Sequence, residues 1–184
     1  MKDLEHKRIV VVGLGRTGVA VSRFCARRGA RVTVSDRSAT VSSRESLEEL
    51  KALGVALELG EHREETFKNA DLIVMSPGVP ENIVPVRAAA SAGIPVTGEI
   101  ELASVFIETP IVAVTGTNGK TTSCELMAKM LERSGRRVFL GGNIGNPLIN
   151  YPDQHPAADV LVVEISSFQL DTISRFRPTV AVLL

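Results

Sequence analysis

Short apolar runs rich in valine and isoleucine alternate along this chain with stretches in which apolar residues recur at helical spacing. The apolar runs predict strands at residues 8–12, 31–35, 56–59, 71–75, 95–97, 111–115, 138–141, 160–165 and 179–184. The stretches between them predict helices at residues 17–28, 42–53, 84–92, 99–107 and 121–134. Strands that alternate with helices are typical of βαβ units, so we expect an α/β fold with parallel sheets.

The segment Glu108-Thr109-Pro110 interrupts this pattern before a second series of strands begins at Ile111. We therefore expect two domains, residues 1–108 and residues 109–184. The chain ends on an apolar run at residues 180–184, whereas a buried parallel strand is normally followed by a turn and a covering helix. We expect the second domain to be truncated.

The charge balance limits the choice of partners. The chain has 21 basic and 21 acidic side chains, so no basic excess favours nucleic acid or an anionic membrane surface. No run approaches the roughly 20 apolar residues of a membrane span, and the N-terminus lacks a signal peptide. We expect a cytoplasmic monomer without nucleic-acid or membrane partners. Cys25 and Cys124 are interpreted as buried thiols, and the three histidines, which share no metal-ligand spacing, as solvated or packing residues.

A glycine-rich turn follows the first predicted strand. The string Gly13-Leu14-Gly15-Arg16-Thr17-Gly18 has the spacing G-x-G-x-x-G, and Asp36 ends the next strand. Such glycines let backbone N–H groups approach a pyrophosphate at a helix N-terminus, and the acid can accept a hydrogen bond from a ribose hydroxyl. The pattern predicts a Rossmann-like nucleotide-diphosphate site. The alternative is a tight turn that needs glycine only for packing.

A second glycine-rich turn follows the strand predicted at residues 111–115. Its string is Thr115-Gly116-Thr117-Asn118-Gly119-Lys120-Thr121-Thr122. Successive N–H groups can surround phosphate oxygens, Lys120 can reach the terminal phosphates, and the Thr121 hydroxyl can ligate Mg²⁺. Val114 stands where a full Walker A sequence has glycine. We predict a P-loop ATP site, with a structural glycine turn as the alternative.

Three further groups follow predicted strands, where ligands of open α/β sheets bind. They are Ser76-Pro77-Gly78, the string Gly142-Asn143-Ile144-Gly145, and Glu164. The first two can face a ligand or simply reverse the chain. Glu164 ends an apolar strand of the P-loop domain, where it can hold Mg²⁺ or a metal-bound water, or form an ion pair.

Together these strings resemble the Mur ligase family, which joins amino acids to a nucleotide-linked peptidoglycan precursor. The segment Glu164-Ile165-Ser166-Ser167-Phe168-Gln169-Leu170-Asp171 is similar to the branch that adds D-glutamate. The resemblance implies a Rossmann-like uridine-nucleotide domain followed by a P-loop ATPase domain, with a third domain absent from this chain. It also implies ATP-dependent addition of D-glutamate to UDP-N-acetylmuramoyl-L-alanine through an acyl phosphate.

The resemblance assigns residues to both sites. It implies uridine-diphosphate contacts at Gly15, Arg16, Thr17, Asp36, Arg37, Ser76, Pro77 and Gly78. It implies contacts with the muramoyl-alanine part at Asn143 and Gln169. It places ATP at residues 116–122, with Lys120 and Glu164 as catalytic residues and Thr121 and Glu164 at Mg²⁺. Two other functions stay open: an NAD-dependent oxidoreductase, and a nucleotide-binding fragment without catalysis, since we expect the chain as it stands to be inactive.

Overall fold

The computed structural model describes residues 2–38, 43–80 and 82–184. The chain divides into two compact units, Met1–Glu99 and Ile100–Leu184, so the predicted boundary after residue 108 lies inside the second unit. Glu101 provides a physical reason for the earlier division. Its buried carboxylate accepts hydrogen bonds from the backbone N–H groups of Ser174, Arg175 and Phe176, at 2.9–3.2 Å, all within the second unit.

Within its described residues, the first unit contains five parallel strands in the order β3-β2-β1-β4-β5. The strands are β1 Arg8–Val12, β2 Arg31–Asp36, β3 Ala56–Leu59, β4 Leu72–Met75 and β5 Val96–Gly98. The connecting helices are α1 Arg16–Arg27, α2 Arg44–Ala52, α3 Glu64–Lys68 and α4 Val84–Ser91, and α5 Glu99–Ser104 follows β5. Strand β1 pairs with both β2 and β4: the chain continues from β1 to β2 and β3 on one side, and then adds β4 and β5 on the other side. The crevice at such a switch point is where ligands of this fold class bind.

The second unit, which is described throughout, has a four-stranded parallel sheet in the order β7-β8-β6-β9. Its strands are β6 Ile111–Thr115, β7 Val138–Gly142, β8 Val160–Glu164 and β9 Val180–Leu183. Helix α6 Lys120–Arg133, a 3₁₀ helix Leu148–Asp153 and α7 Ser167–Asp171 lie between the strands. Because Val114 on β6 is in register with Glu164 on β8, the segments that follow these two strands lie at the same edge of the sheet.

Burial follows the apolar pattern. The strand residues Val11, Val12, Ile73 and Val74 are almost completely buried in the first unit. In the second unit Val114 and Val162 pack with Cys124 on α6. Both cysteines are buried as predicted, and burial raises the pKa of the Cys25 thiol to about 12. Within the described ranges, no helix has both the length and the apolar character needed to cross a bilayer.

The elements that the apolar pattern missed are short. Helices α3 and α7 have five residues each and the 3₁₀ helix has six, too few for a period of 3.6 residues to be visible. The start of α2 also differs from expectation. The helix begins at Arg44, and the hydroxyl of the preceding Ser43 accepts a hydrogen bond from Ser46 N. Residue 42, where the sequence predicts the helix to begin, lies outside the described residues.

Candidate functional site

The first glycine-rich turn is closely packed between β1 and α1. Gly13 has a φ of +96°, and a Cβ there would lie 2.8 Å from Val79 Cγ2. A Cβ at Gly18 would collide with the carbonyl oxygen of Gly13. Gly15 differs, because its φ is −76° and a Cβ would meet no atom within 4 Å. The fold therefore needs glycine at positions 13 and 18, whereas the space beside Gly15 is open to a ligand.

Asp36 lies beside this turn, as predicted, and holds its backbone. Its Oδ2 accepts a hydrogen bond from Leu14 N at 2.6 Å, and its Oδ1 accepts one from Ser38 N at 2.8 Å. Both carboxylate oxygens are thus bonded to backbone amides. This contact shapes the turn, and a contact from Asp36 to a ribose stays a prediction.

The Ser76-Pro77-Gly78 turn follows β4 and contacts the same glycine-rich turn. The buried Ser76 hydroxyl donates to the carbonyl oxygen of Gly13 at 3.2 Å. Gly13, Asp36, Arg37 and Gly78 line one cavity of about 210 Å³, so four sequence-predicted positions meet around a single space. The remaining lining residues are His62, Val79, Pro80 and Ile83. Arg16 and Thr17 lie at the N-terminus of α1, outside this lining.

His62 is the lining residue that sequence reasoning did not single out. It follows β3 and is half-buried, with Nδ1 2.8 Å from the hydroxyl oxygen of Ser35. Burial lowers the pKa of the imidazole, the charge of Arg37 lowers it further, and the charge of Asp36 acts in the opposite direction. The available sequence signal was its position just beyond the carboxyl end of a parallel strand.

The second glycine-rich turn carries a lysine that contacts its own backbone. Helix α6 begins at Lys120, directly after Gly119, whose φ of +79° is left-handed. The Lys120 ammonium donates to the carbonyl oxygens of Gly116 at 2.7 Å and Thr117 at 3.3 Å. Thr117, Asn118 and Gly119 are exposed at this helix N-terminus. Backbone N–H groups and an ammonium at a helix N-terminus form a site suited to phosphate groups.

Glu164 lies at the centre of the second predicted site. Its side chain is 2% exposed at the end of β8. Thr121 Oγ1 donates to Glu164 Oε2 at 2.7 Å, and Asn143 Nδ2 donates to Glu164 Oε1 at 2.8 Å. These hydrogen bonds offset the cost of burying a carboxylate. The structure thus brings together three side chains that the sequence identified from separate strings. Thr122, the next residue of α6 after Thr121, is exposed.

The same residues fit the ligand requirements of Mg²⁺. A threonine hydroxyl and a carboxylate oxygen converge here, and Mg²⁺ prefers oxygen ligands. In residues 2–38, 43–80 and 82–184, no group of three or more His, Cys, Asp or Glu side chains could hold a metal. A partial set of protein ligands is the usual arrangement when nucleotide phosphates and water complete the Mg²⁺ shell.

Gln169 forms a helix cap in this structure. Its side-chain Oε1 accepts hydrogen bonds from Ser166 N at 3.0 Å and from the Ser166 hydroxyl at 3.1 Å. The backbone N–H of Gln169 donates to Ser166 Oγ. This capping box fixes the start of α7 just beyond Glu164. The predicted contact of Gln169 with a substrate remains a prediction.

Family comparisons agree with this arrangement. Residues 7–98 match the family described as Mur ligase MurD-like, N-terminal domain. Residues 114–184 match the Mur ligase middle domain, which contains the Lys120 loop and Glu164. The chain belongs to the Mur ligase family. Mur ligases are ATP-dependent ligases, and the two matched segments correspond to the two structural units.

Curated relatives within the Mur ligases are close in sequence. A protein of Desulfosudis oleivorans is 54% identical over 182 residues, and one of Desulfatibacillum aliphaticivorans is 55% identical over 181 residues. Both are named UDP-N-acetylmuramoylalanine--D-glutamate ligase. The matches cover 99% and 98% of this chain, and the chain spans about 40% of the length of each relative.

Solved Mur ligase structures share the fold. A pseudomurein peptide ligase type C from Methanothermus fervidus aligns with 96% of this chain and 37% of its own chain, at 28% identity and a TM-score of 0.51. The UDP-N-acetylmuramate:L-alanyl-gamma-D-glutamyl-meso-diaminopimelate ligase from Neisseria meningitides aligns with 96% of this chain and 60% of its own, at 24% identity and a TM-score of 0.58. The predicted α/β fold with a Rossmann-like first unit is confirmed.

Proposed function

We propose that this chain carries the uridine-nucleotide site and the ATP loop of a Mur ligase that adds D-glutamate to UDP-N-acetylmuramoyl-L-alanine. One observation carries the proposal: α6 begins with Lys120 and Thr121, and Thr121 Oγ1 donates a hydrogen bond to Glu164 Oε2 at 2.7 Å. An ammonium, a hydroxyl and a carboxylate at that position are the groups that phosphoryl transfer from ATP requires. The curated relatives at 54% and 55% identity support the choice of substrates.

The reaction would form an amide in two steps. The L-alanyl carboxylate attacks the γ-phosphorus of ATP, the bond to the β-phosphate oxygen breaks, and an acyl phosphate and ADP result. The amine of D-glutamate then attacks the acyl carbon, loses a proton, and displaces phosphate. Neither step needs a nucleophilic side chain, so the protein contributes by positioning the reactants and stabilising negative charge.

Lys120 would move from its present carbonyl partners to the terminal phosphates of ATP. Its two contacts are with loop carbonyl groups, so phosphate oxygens can replace them without leaving an ion pair broken. Thr121 and Glu164 would hold Mg²⁺, which supplies charge neutralisation at the phosphates when bound. Asn143 keeps Glu164 oriented through its 2.8 Å hydrogen bond, in addition to the muramoyl-alanine contact we propose for Asn143 and Gln169.

The first unit would bind the uridine nucleotide. The open space at Gly15 and the N-terminus of α1 suit the diphosphate, and the cavity lined by Asp36, Arg37 and Gly78 lies beside that turn. We propose supporting contacts from Arg16, Thr17, Ser76 and Pro77. An NAD-dependent oxidoreductase would use the first turn alone and would leave the Lys120 loop without a role.

The proposal is tested by titrating the 184-residue chain with UDP-N-acetylmuramoyl-L-alanine, with a non-hydrolysable ATP analogue plus Mg²⁺, and with NAD. We expect Lys120→Ala to weaken the ATP analogue by about 10- to 100-fold, the usual effect of losing a hydrogen bond to a charged group. Binding of the uridine nucleotide should stay unchanged, because Lys120 belongs to the other unit.

Lys129→Ala is the matched control, since Lys129 is exposed on the same helix. It should leave both affinities unchanged. Equal loss of both ligands in Lys120→Ala would contradict the assignment of two separate sites. Tighter binding of NAD than of the uridine nucleotide would favour the oxidoreductase instead.

A further inference from the structure

The His62 imidazole is fixed from two directions. The Ser35 hydroxyl on β2, which has no exposed surface, lies 2.8 Å from Nδ1. The fully buried ring of Phe67 on α3 meets the imidazole edge-on, with ring centroids 5.9 Å apart and planes at 82°. A histidine that served only as a solvated surface group would not need both contacts. The arrangement holds one orientation of the ring and commits Nδ1, so Nε2 is the nitrogen that can serve a ligand.

The cavity beside His62 is small and has both apolar and polar lining residues. Its volume of about 210 Å³ is below the roughly 300 Å³ at which pockets for drug-sized ligands begin. Val79, Pro80 and Ile83 supply an apolar wall, and His62 and Arg37 supply polar groups. A planar ring with polar edges matches this combination better than a phosphate, which would leave the apolar wall unused.

The protonation state of His62 favours an uncharged group as its own partner in the cavity. Burial and the neighbouring Arg37 lower the pKa of His62, so the imidazole is neutral at pH 7 and is a poor partner for phosphate. Asp36, the acid of the cavity, already accepts from the backbone N–H groups of Leu14 and Ser38. The neutral imidazole is therefore the group best placed to exchange a directional hydrogen bond with an uncharged ring.

We propose that His62 is a specificity-determining residue that contacts the pyrimidine ring of the bound nucleotide, and that Ser35 is the positioning residue that sets the tautomer of its imidazole. The inference rests on the uridine-nucleotide site proposed above for the first unit. The Ser35 hydroxyl either donates to Nδ1, which makes Nε2–H a donor, or accepts from Nδ1–H, which makes Nε2 an acceptor. A uracil carbonyl oxygen can accept a hydrogen bond from Nε2–H, and the uracil ring N–H can donate one to an unprotonated Nε2.

The experiment uses ¹⁵N-histidine-labelled 184-residue chain titrated separately with UDP, with inorganic pyrophosphate and with ADP. The chain has three histidines, so His62→Ala identifies the His62 signals by their loss. We expect the Nε2 resonance of His62 to shift with UDP and to stay in place with pyrophosphate. We also expect His62→Ala to weaken UDP by about tenfold, as for one lost hydrogen bond in a binding site, and to leave pyrophosphate affinity unchanged.

Companion variants separate binding from folding. His62→Gln keeps an amide that can replace one ring nitrogen, and we expect it to restore part of the UDP affinity. Ser35→Ala should change the ratio of the two tautomers in the ¹⁵N spectrum and weaken UDP less than His62→Ala does. His6→Asn, which removes an exposed imidazole of the same unit, should change nothing.

Three results would overturn the inference. The His62 nitrogens would stay unshifted at saturating UDP, or His62→Ala would weaken UDP and pyrophosphate equally, which is the signature of a structural role. A larger shift with ADP than with UDP would assign the cavity to a purine. In these cases UDP still binds and the proposed function stands, whereas failure of the unaltered chain to bind UDP would remove the uridine site together with the role of His62.

Discussion

The two glycine-rich turns have the same position in the fold and different chemistry. Each follows a strand that pairs on both sides, β1 in the first unit and β6 in the second, and each leads into the helix that covers its sheet. The first turn is held by an acid, because Asp36 accepts from Leu14 N. The second turn is contacted by a base, because Lys120 donates to the carbonyl oxygens of Gly116 and Thr117.

The residue before each helix shows the same contrast. Gly119 has a φ of +79°, so its own backbone requires glycine. Gly15 has an extended backbone that any residue can adopt, and its surroundings would accommodate a side chain. We infer that glycine at 119 serves the shape of the loop, whereas glycine at 15 serves the approach of a ligand. A glycine directly before the helix therefore has a different role in each of the two turns.

The largest expected effect separates the two roles of glycine within the first turn. Gly18→Ala places a methyl group against the Gly13 carbonyl oxygen, and we expect it to lower the free energy of unfolding by about 3 kcal/mol or more. Gly15→Ser should leave stability unchanged or slightly higher, since serine is a good N-cap residue, while it weakens the uridine nucleotide. Urea denaturation and calorimetric titration of the two variants measure both properties. Strong destabilisation by Gly15→Ser would contradict the distinction.

A smaller effect concerns the metal dependence of the second turn. Thr121→Val removes the hydroxyl that donates to Glu164 Oε2 and keeps the side-chain volume. In the unaltered chain Mg²⁺ should increase the affinity for the ATP analogue, and we expect Thr121→Val to reduce that increase about tenfold. This is the lower end of the loss in metal affinity when a group that supports a metal site is removed. The uridine nucleotide should bind as before. Titrations with and without Mg²⁺ check this, with Lys129→Ala as the control for an exposed residue on α6 outside the loop. An unchanged Mg²⁺ dependence would exclude Thr121 from the metal site.

Sequence reasoning predicted every strand of both sheets because valine-rich runs separated by helical spacing leave few other interpretations. It placed helix ends less well, since α5 ends at Ser104 and not at Ile107. It missed α3 and α7, whose few residues gain stability from packing and capping rather than from a long amphipathic face. The division of the chain at Glu99 also depended on tertiary contacts, namely the hydrogen bonds of Glu101 with residues 174–176.

The candidate sites divide in the same way. Local strings were enough to single out Thr121, Asn143 and Glu164, which the structure joins by hydrogen bonds. Each of these residues ends a parallel strand, follows one, or lies at the start of a helix. His62 has no such string. Its role depends on Ser35 and Phe67, which are distant from one another in the sequence and meet it only through the pairing of β2 with β3 and the packing of α3. The hydrogen bonds of Asp36 with backbone amides could not be predicted from the sequence either, because the G-x-G-x-x-G pattern assigns this acid to a ribose hydroxyl.

The smallest expected effect lies at the opposite edge of both sheets, where the two units are alike. Arg8 N and its guanidinium bond the Asp71 carboxylate, and Arg137 N and its guanidinium bond Asp159 in the same way, at 2.7–3.4 Å. Hydrogen bonds from Arg137 lower the pKa of Asp159 to about 2, and those from Arg8 hold the pKa of Asp71 well below its usual range.

These depressed pKa values fix the direction of a pH dependence. Since the folded carboxyl groups have lower pKa values than in the unfolded chain, the stabilisation is present above about pH 4 and is lost as the pH falls toward 2. Asp71→Asn and Asp159→Asn should each lower the melting temperature at pH 7, and only slightly, because the side chains are partly exposed and screened by solvent. The effect of Asp159→Asn should be smaller near pH 2 than at pH 7, because the stabilisation is lost as the pH falls through the folded pKa of about 2. Asp171→Asn, at the exposed end of α7, is the control and should have no effect at either pH.

Both nucleotide affinities should stay constant at pH 7 in these variants, because the Arg8–Asp71 and Arg137–Asp159 pairs lie at the starts of the strands and the glycine-rich turns follow the strand ends. A loss of ligand binding in either variant would mean that the two edges of a sheet are coupled, and that the contrast between the turns is not local to them.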